Sequence, residues 1–165
     1  PLEASVINFS IGQGEFLATP LQVAYSYALL ANNGKRLRPH VIATGDYTRE
    51  SDHPEPVHLS STERTAIIEG LWEVANEYGG TAYRADFDPS WNVVGKTGTA
   101  ENYQGGVDAW FAGFYPRSNP KYAFVSHIEQ ADGHGGDVAA PIIREMIRMI
   151  ETENDSIDST TALAH

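Results

Sequence analysis

The residues best suited to chemistry are concentrated in one stretch, Trp91-Asn92-Val93-Val94-Gly95-Lys96-Thr97-Gly98-Thr99-Ala100-Glu101. An apolar lead-in runs directly into small and hydroxyl-bearing residues around a single lysine. Gly95 and Gly98 remove side-chain bulk, so a ligand can lie against the strand backbone. Strand alternation puts Thr97 and Thr99 on one face with Gly95 and sends Lys96 and Gly98 the other way. Hydroxyls, an ammonium and exposed backbone N–H groups together suit an anionic peptide end or a developing oxyanion. A ligand-free edge strand rich in Gly and Thr accounts for the same few residues about as well.

Two nucleotide-binding motifs fail on spacing. Gly95-Lys96-Thr97 matches the end of a P-loop, but the required first glycine falls on Ser90, and Val93-Val94 places strand where loop is needed. Gly12-Gln13-Gly14 lacks the third glycine of a dinucleotide fingerprint, since Leu17 stands there. A tight turn feeding a capped helix explains that segment by itself.

The elements that must position these residues form a short series. Thr19-Pro20-Leu21-Gln22 has a cap, a proline at the first helical position and a capping-box glutamine. Leu21, Ala24, Ala28 and Ala31, flanked by Val23, Tyr27 and Leu30, recur at helical spacing until Asn33-Gly34. Residues 36–44 read as a short extended segment, and residues 46–59, with Pro54 and Pro56, as a surface loop. Ser60-x-x-Glu63 opens a second helix with Ile67, Leu71, Val74 and Tyr78 on one face, closed by Gly79-Gly80. Strands are expected at about 91–100, 108–115 and 121–129 as an antiparallel meander. A final helix near 138–151 carries Val138, Ile142, Ile143, Met146, Ile147 and Ile150. The polar stretch 151–165 reads as a frayed tail. The order helix, helix, three strands, helix is α+β.

Composition narrows the function further. The 165 residues suit about one domain, and 41% hydrophobic content supports a packed core. Acids outnumber bases 22 to 11, a net charge of −11, which argues against nucleic acid and anionic membrane surfaces as partners. Three lysines among these bases fit either a high-salt habitat or an ordinary acidic surface. With no cysteine, disulfides, thiolate nucleophiles and Cys-based zinc sites are excluded. No apolar run approaches the roughly 18 residues of a membrane span, and no signal peptide opens the chain. It begins at Pro1 rather than Met, which reads as the start of a processed or excised piece.

Taken as an ordered set, Ser10-Ile11-Gly12-Gln13-Gly14, Thr19-Pro20-Leu21-Gln22 and Val94-Gly95-Lys96-Thr97-Gly98-Thr99-Ala100-Glu101 resemble the C-terminal half of a class B penicillin-binding protein transpeptidase domain. Gly79-Gly80-Thr81-Ala82, Asp108-Ala109-Trp110-Phe111-Ala112-Gly113-Phe114-Tyr115-Pro116 and Gly135-Gly136-Asp137-Val138-Ala139-Ala140-Pro141 agree in the same order. A lone Lys-Thr-Gly would be weak; the ordered set is specific. The resemblance implies part of a serine-transpeptidase/β-lactamase-like fold over 1–150, an antiparallel sheet packed with α-helices, followed by the tail 151–165.

That family consists of serine acyltransferases that cross-link peptidoglycan stem peptides, and β-lactams acylate the same serine by mimicking the D-Ala-D-Ala end. The nucleophile's Ser-x-x-Lys and a Ser-x-Asn precede the Gly-Gln-Gly segment in the family, so both are expected upstream of this chain. By resemblance, Lys96 supplies positive potential and assists proton transfer. Thr97 and Thr99 offer hydroxyls to the substrate carboxylate, and the Thr99 backbone N–H is one oxyanion donor. Gly98 keeps the strand open to the peptide. Glu101 stands where Gln is common, so no amide role is carried over.

The resemblance implies no cofactor and no metal. Its implied partners are the stem peptide, β-lactams and the upstream part of the same protein, and it raises a cell-wall glycosyltransferase as another. It implies a place on the extracytoplasmic side of the cytoplasmic membrane, with the anchor elsewhere. The fragment alone is expected to be inactive and to expose apolar surface that favours self-association. A non-catalytic β-lactam-sensing or scaffold module of the same fold is the alternative, and a serine β-lactamase a weaker third.

Other residues have ordinary explanations. Trp110, Phe111 and Phe114 are expected in the core. His134 and Asp137 are too few to hold a metal, and Asp137 reads as a helix N-cap. His40, His53, His58 and His127 show no paired spacing. Glu63, Glu69, Glu73 and Glu77 read as a solvated helix face. Asn8-Phe9-Ser10 matches a glycosylation sequon but is discounted in a chain of bacterial character.

Overall fold

The run from Val93 to Ile128 alternates β-branched and aromatic residues with small ones and is broken twice by turn-forming residues, a pattern that favours a hairpin-linked sheet. The computed structural model describes residues 6–7, 17–41 and 56–162, with side chains to residue 154. It contains the strands β1 (Val94–Glu101), β2 (Val107–Tyr115) and β3 (Tyr122–Ile128). They form an antiparallel sheet in the order β1-β2-β3. The register sets Lys96 against Ala112, Gly98 against Trp110, and Trp110 against His127. β1 starts later than expected because Pro89–Trp91 forms a 3-10 turn and Asn92 follows in the left-handed region at φ 47°.

The sheet is accompanied by the α-helices α1 (Pro20–Ala31), α2 (Ser61–Asn76) and α3 (Ala140–Ala162). Both expected capping boxes form. Thr19 and Gln22 close the start of α1, and Ser60 and Glu63 close that of α2. The Thr19 and Ser60 hydroxyls, the Gln22 amide oxygen and the Glu63 carboxylate accept from backbone N–H groups that have no partner inside the helix. At the end of α1, Arg64 donates to the carbonyls of Leu30 and Ala31, tying α2 to α1.

One side of the sheet carries the main core. Phe111, Tyr115 and Phe124 pack there with Ile143 and Ile147 of α3 and with the buried alanines 82, 85, 139 and 140. The other side holds a smaller cluster of Ile68, Val94 and Phe114, edged by Tyr27, Leu30, Leu71 and Trp72.

Several expectations are corrected by this packing. Helix α2 buries Ile68 and Ala75, while Ile67 and Tyr78 face solvent. Leu21 of α1 is exposed. In α3 the buried pair is Ile143 and Ile147, whereas Ile142 and Met146 are 44% and 49% exposed, so the apolar stripe is wider than the surface it contacts. Residues 135–139 form a π-helical turn with Asp137 inside it, and His134 occupies the cap position without a side-chain bond. Helix α3 continues to Ala162, through most of the stretch read as a frayed tail. Elongating an existing helix costs far less than nucleating one, and the Thr152 hydroxyl bonds back to the Arg148 carbonyl. The Gly12-Gln13-Gly14 segment, the sequon and the expected loop up to residue 55 lie outside the described residues.

Candidate active-site wall

β1 is an edge strand: β2 pairs with one side of it, and no strand covers the other among the described residues. Its entry is fixed by two bonds. The Asn76 amide donates to the Val93 carbonyl at 2.8 Å, and the Arg117 N–H donates to the Asn92 carbonyl at 3.1 Å. Along the strand, alternation works as expected. Thr97 and Thr99 lie on the side of Phe111 and Ala109, and Lys96 and Gly98 on that of Ala112 and Trp110.

The Lys96 ammonium is exposed and folds back over its neighbour. It donates to the Thr97 carbonyl at 2.9 Å and to the Thr97 hydroxyl at 3.3 Å. The Thr97 hydroxyl also lies 2.7 Å from that of Thr81. The Thr99 hydroxyl accepts from the Gly135 N–H at 3.3 Å. Both threonines are thus held from behind, by the Thr81 segment and by the π-helical turn. The turn lies so close that a Cβ on Gly135 would stand 2.5 Å from the Gly98 carbonyl oxygen, and one on Gly136 would stand 1.9 Å from that of Thr81. The strand places an ammonium and two oriented hydroxyls within one short segment, an arrangement suited to a carboxylate or a developing oxyanion.

Gly98 faces Trp110 across the sheet. A Cβ there would approach the Trp110 Cβ on the neighbouring strand at 3.2 Å. Trp110 is only half-buried, unlike the buried Phe111 and Phe114, and stacks on His127 at a centroid distance of 3.7 Å. His127 Nε2 lies 3.7 Å from the Asp108 carboxylate. Hydrogen bonds from Asn102, then from the Gln130 N–H, with the His127 ring nearby, hold Asp108 below the usual carboxylate range. Glu69, expected to be merely solvated, pairs with Arg117, whose guanidinium lies over Trp72 at 5.3 Å.

Two spacings in the chain match the nucleophile motifs, and the structure places neither with Lys96. Ser118-Asn119-Pro120-Lys121 has Ser-x-x-Lys spacing but forms the exposed β2–β3 turn, closed by the Lys121 N–H on the Tyr115 carbonyl. Ser90-Trp91-Asn92 has Ser-x-Asn spacing but lies in the turn before β1. There the Ser90 hydroxyl bonds Asp88 at 2.6 Å and the Asn92 amide bonds the Ser90 carbonyl. The spacing of chemistry-bearing residues does not mark Thr81, Asn76 or the two glycines of the π-helical turn as part of the site. Gly79-Gly80-Thr81 and Gly135-Gly136 were visible as motifs, but only the fold shows what they touch.

Residues 2–148 match the family model "Penicillin binding protein transpeptidase domain", and the chain belongs to that family. It is 31% identical to the peptidoglycan D,D-transpeptidase MrdA of Haemophilus influenzae, across 88% of this chain and 26% of that protein. The crystal structure of Pseudomonas aeruginosa PBP2 in complex with WCK 5153 is similar with a TM-score of 0.76 and 31% identity, over 87% of this chain and 31% of that one. Helicobacter pylori PBP2 in complex with MreC gives a TM-score of 0.73 and 31% identity, over 90% of this chain and 27% of that one. This chain therefore spans about a quarter of the length of the curated relative. The antiparallel sheet with its helices is part of the serine penicillin-binding fold.

Proposed function

We propose that this chain forms one wall of the acyl-transfer site of a peptidoglycan D,D-transpeptidase, with the serine nucleophile supplied by residues outside it. The observation that carries this reading is the Lys96 ammonium meeting the Thr97 hydroxyl on an edge strand. In the proposed reaction the serine Oγ adds to the carbonyl of the penultimate D-alanine. The tetrahedral intermediate collapses, terminal D-alanine leaves as its amine, and an acyl-serine ester remains. An amine of a neighbouring strand then attacks the ester, forming the cross-link and returning the serine. A β-lactam enters by the same first attack, with ring opening in place of amine departure.

Lys96 keeps the cleft positive for a carboxylate-ended substrate and favours proton delivery to the leaving amine. The Thr97 and Thr99 hydroxyls take the terminal carboxylate, and the Thr99 N–H serves as one oxyanion donor beside that of the serine. Losing such a donor costs about 100- to 1,000-fold in rate. Peptidoglycan cross-linking places the parent protein on the outer side of the cytoplasmic membrane, where a glycosyltransferase supplies the glycan strands to be joined.

Intact-mass labelling with a reporter penicillin, on 1–165 and on the full-length gene product in parallel, tests this. One drug mass on the full-length product alone is the expected result. No label on either makes the parent a non-catalytic binding module. Label on 1–165 itself places a nucleophile within the chain, with Ser118→Ala as the first variant to examine.

A further inference from the structure

Thr81 enters the described site through contacts that no sequence motif assigns to it. Its segment is wedged into place from two directions. A Cβ on Gly80 would come within 2.5 Å of the Glu73 and Val74 carbonyl oxygens, so only glycine lets the chain pass the last turn of α2 this closely. The next residue, Ala82, is buried and donates its N–H to the Val74 carbonyl at 2.9 Å. On the other side Gly136 lies against the Thr81 carbonyl, leaving no space for a side chain. Between these supports the Thr81 side chain is exposed, and its hydroxyl sits 2.7 Å from that of Thr97.

Proton counting gives this contact a consequence. The Lys96 ammonium has no acceptor capacity, so in its bond to the Thr97 oxygen it is the donor. Thr81 and Thr97 together hold two hydroxyl protons, and their mutual bond uses one. If Thr81 donates to Thr97, the Thr97 proton is left to donate elsewhere. If Thr97 donates to Thr81, the Thr81 proton is left instead, on an exposed side chain. In both arrangements the pair retains one O–H for an incoming anion, polarised by the ammonium at the other end of the chain of bonds. Without Thr81, the Thr97 hydroxyl rotor is set by Lys96 alone.

We infer that Thr81, through the bond between its hydroxyl and that of Thr97, helps to hold the carboxylate end of the acyl donor. The inference rests on the transpeptidase reading above and extends its anion site from β1 to the segment after α2. Thr81→Val preserves shape and removes the hydroxyl, and Thr81→Ser restores it.

The test compares acylation of the full-length gene product by a penicillin and by the methyl ester of the same penicillin. Thr81→Val is expected to slow acylation by the acid about tenfold, the scale of one hydrogen bond to a charged group, and to leave the ester rate nearly unchanged. Thr81→Ser is expected to recover most of the acid rate. Equal slowing of acid and ester in Thr81→Val, or failure of Thr81→Ser to recover the acid preference, overturns the inference while leaving the transpeptidase reading intact. Absence of acylation in the unsubstituted protein overturns that reading, and the inference with it.

Discussion

The two faces of the sheet are built to different standards. Among the described residues, thirteen buried ones on the α3 side form a continuous core that includes the loop after α2 and the π-helical turn. Among the described residues the α1 side has three in its buried cluster, and α1 itself has none that is fully buried. Stability from burial scales with apolar area removed from water, so the α3 side dominates it. The same side holds Thr97 and Thr99, through Gly135 and Thr81. The hydroxyls are thus oriented from the more deeply buried side, while the Lys96 side chain leaves the strand on the other side and folds back to Thr97. Rigid support is what a preorganised site needs, because misplacement of an oriented group forfeits most of its value.

The most severe way to break this comparison is to force the turn off the strand. Gly136→Ala would place a Cβ 1.9 Å from the Thr81 oxygen, a backbone atom that cannot swing aside. We expect a loss of about 3 kcal/mol or failure to fold, read by thermal denaturation of the full-length gene product. Gly70→Ala is the opposite case, since nothing lies within 4 Å of its would-be Cβ in the middle of α2. It should stabilise by about 0.5–1 kcal/mol through helix propensity. If both substitutions proved neutral, the close packing of the π-turn would not be what holds β1.

Next in size is the contrast across α3 itself. Ile143 is fully buried and Ile142, its neighbour, is 44% exposed. Ile143→Ala should cost about 3 kcal/mol, and Ile142→Ala less than about 1 kcal/mol. Equal losses would mean that the exposed face of α3 is covered in the full-length protein, which the same denaturation experiment would reveal.

What could be read from the sequence divides along similar lines. Helix starts were legible because Thr19 and Ser60 satisfy local backbone donors, and such bonds span only three residues. The strands were legible because turn residues bracket them, and the alternation of Lys96, Thr97, Gly98 and Thr99 needs only the strand period. Which apolar residues of α2 and α3 are buried was not legible. Ile67 and Ile68 are chemically identical, and only the direction from which the sheet approaches distinguishes them. The supports of the site were hidden for the same reason: Thr81 meets Thr97 across 16 residues, and Gly135 meets Thr99 across 36. Ser-x-x-Lys and Ser-x-Asn spacings occur in turns, so spacing alone does not make a nucleophile.

A finer test asks whether the thin side opens independently. Helix α1 is joined to the rest through Tyr27, Leu30, Ala31 and the Arg64 bonds. Hydrogen exchange in the full-length protein should show α1 amides opening locally, with protection at least tenfold below that of β2. Thr19→Ala removes the capping bond and should lower α1 protection further, leaving β2 almost unchanged. Loss of protection in both elements together would show that the two sides unfold as one unit.

The smallest effect expected is electrostatic and lies at the far end of the β1–β2 hairpin. Asp108 accepts from the Asn102 amide at 2.9 Å and from the Gln130 N–H at 3.1 Å, bonds that join the hairpin turn to the end of β3. These bonds, with His127 nearby, favour the charged carboxylate, so its pKa is lowered on folding. A group whose pKa is lower folded than unfolded contributes stability above its unfolded value and loses it as pH falls through the folded one. The contribution should therefore be constant above about pH 4 and fade below it. Asp108→Asn keeps an acceptor oxygen but removes the charge, so it isolates this effect. At neutral pH the variant should melt slightly below the parent, and the gap should close as the pH falls toward 3. A gap that persists in acid would assign the tie to hydrogen-bond geometry alone and leave the carboxylate charge without a role in holding the hairpin to β3.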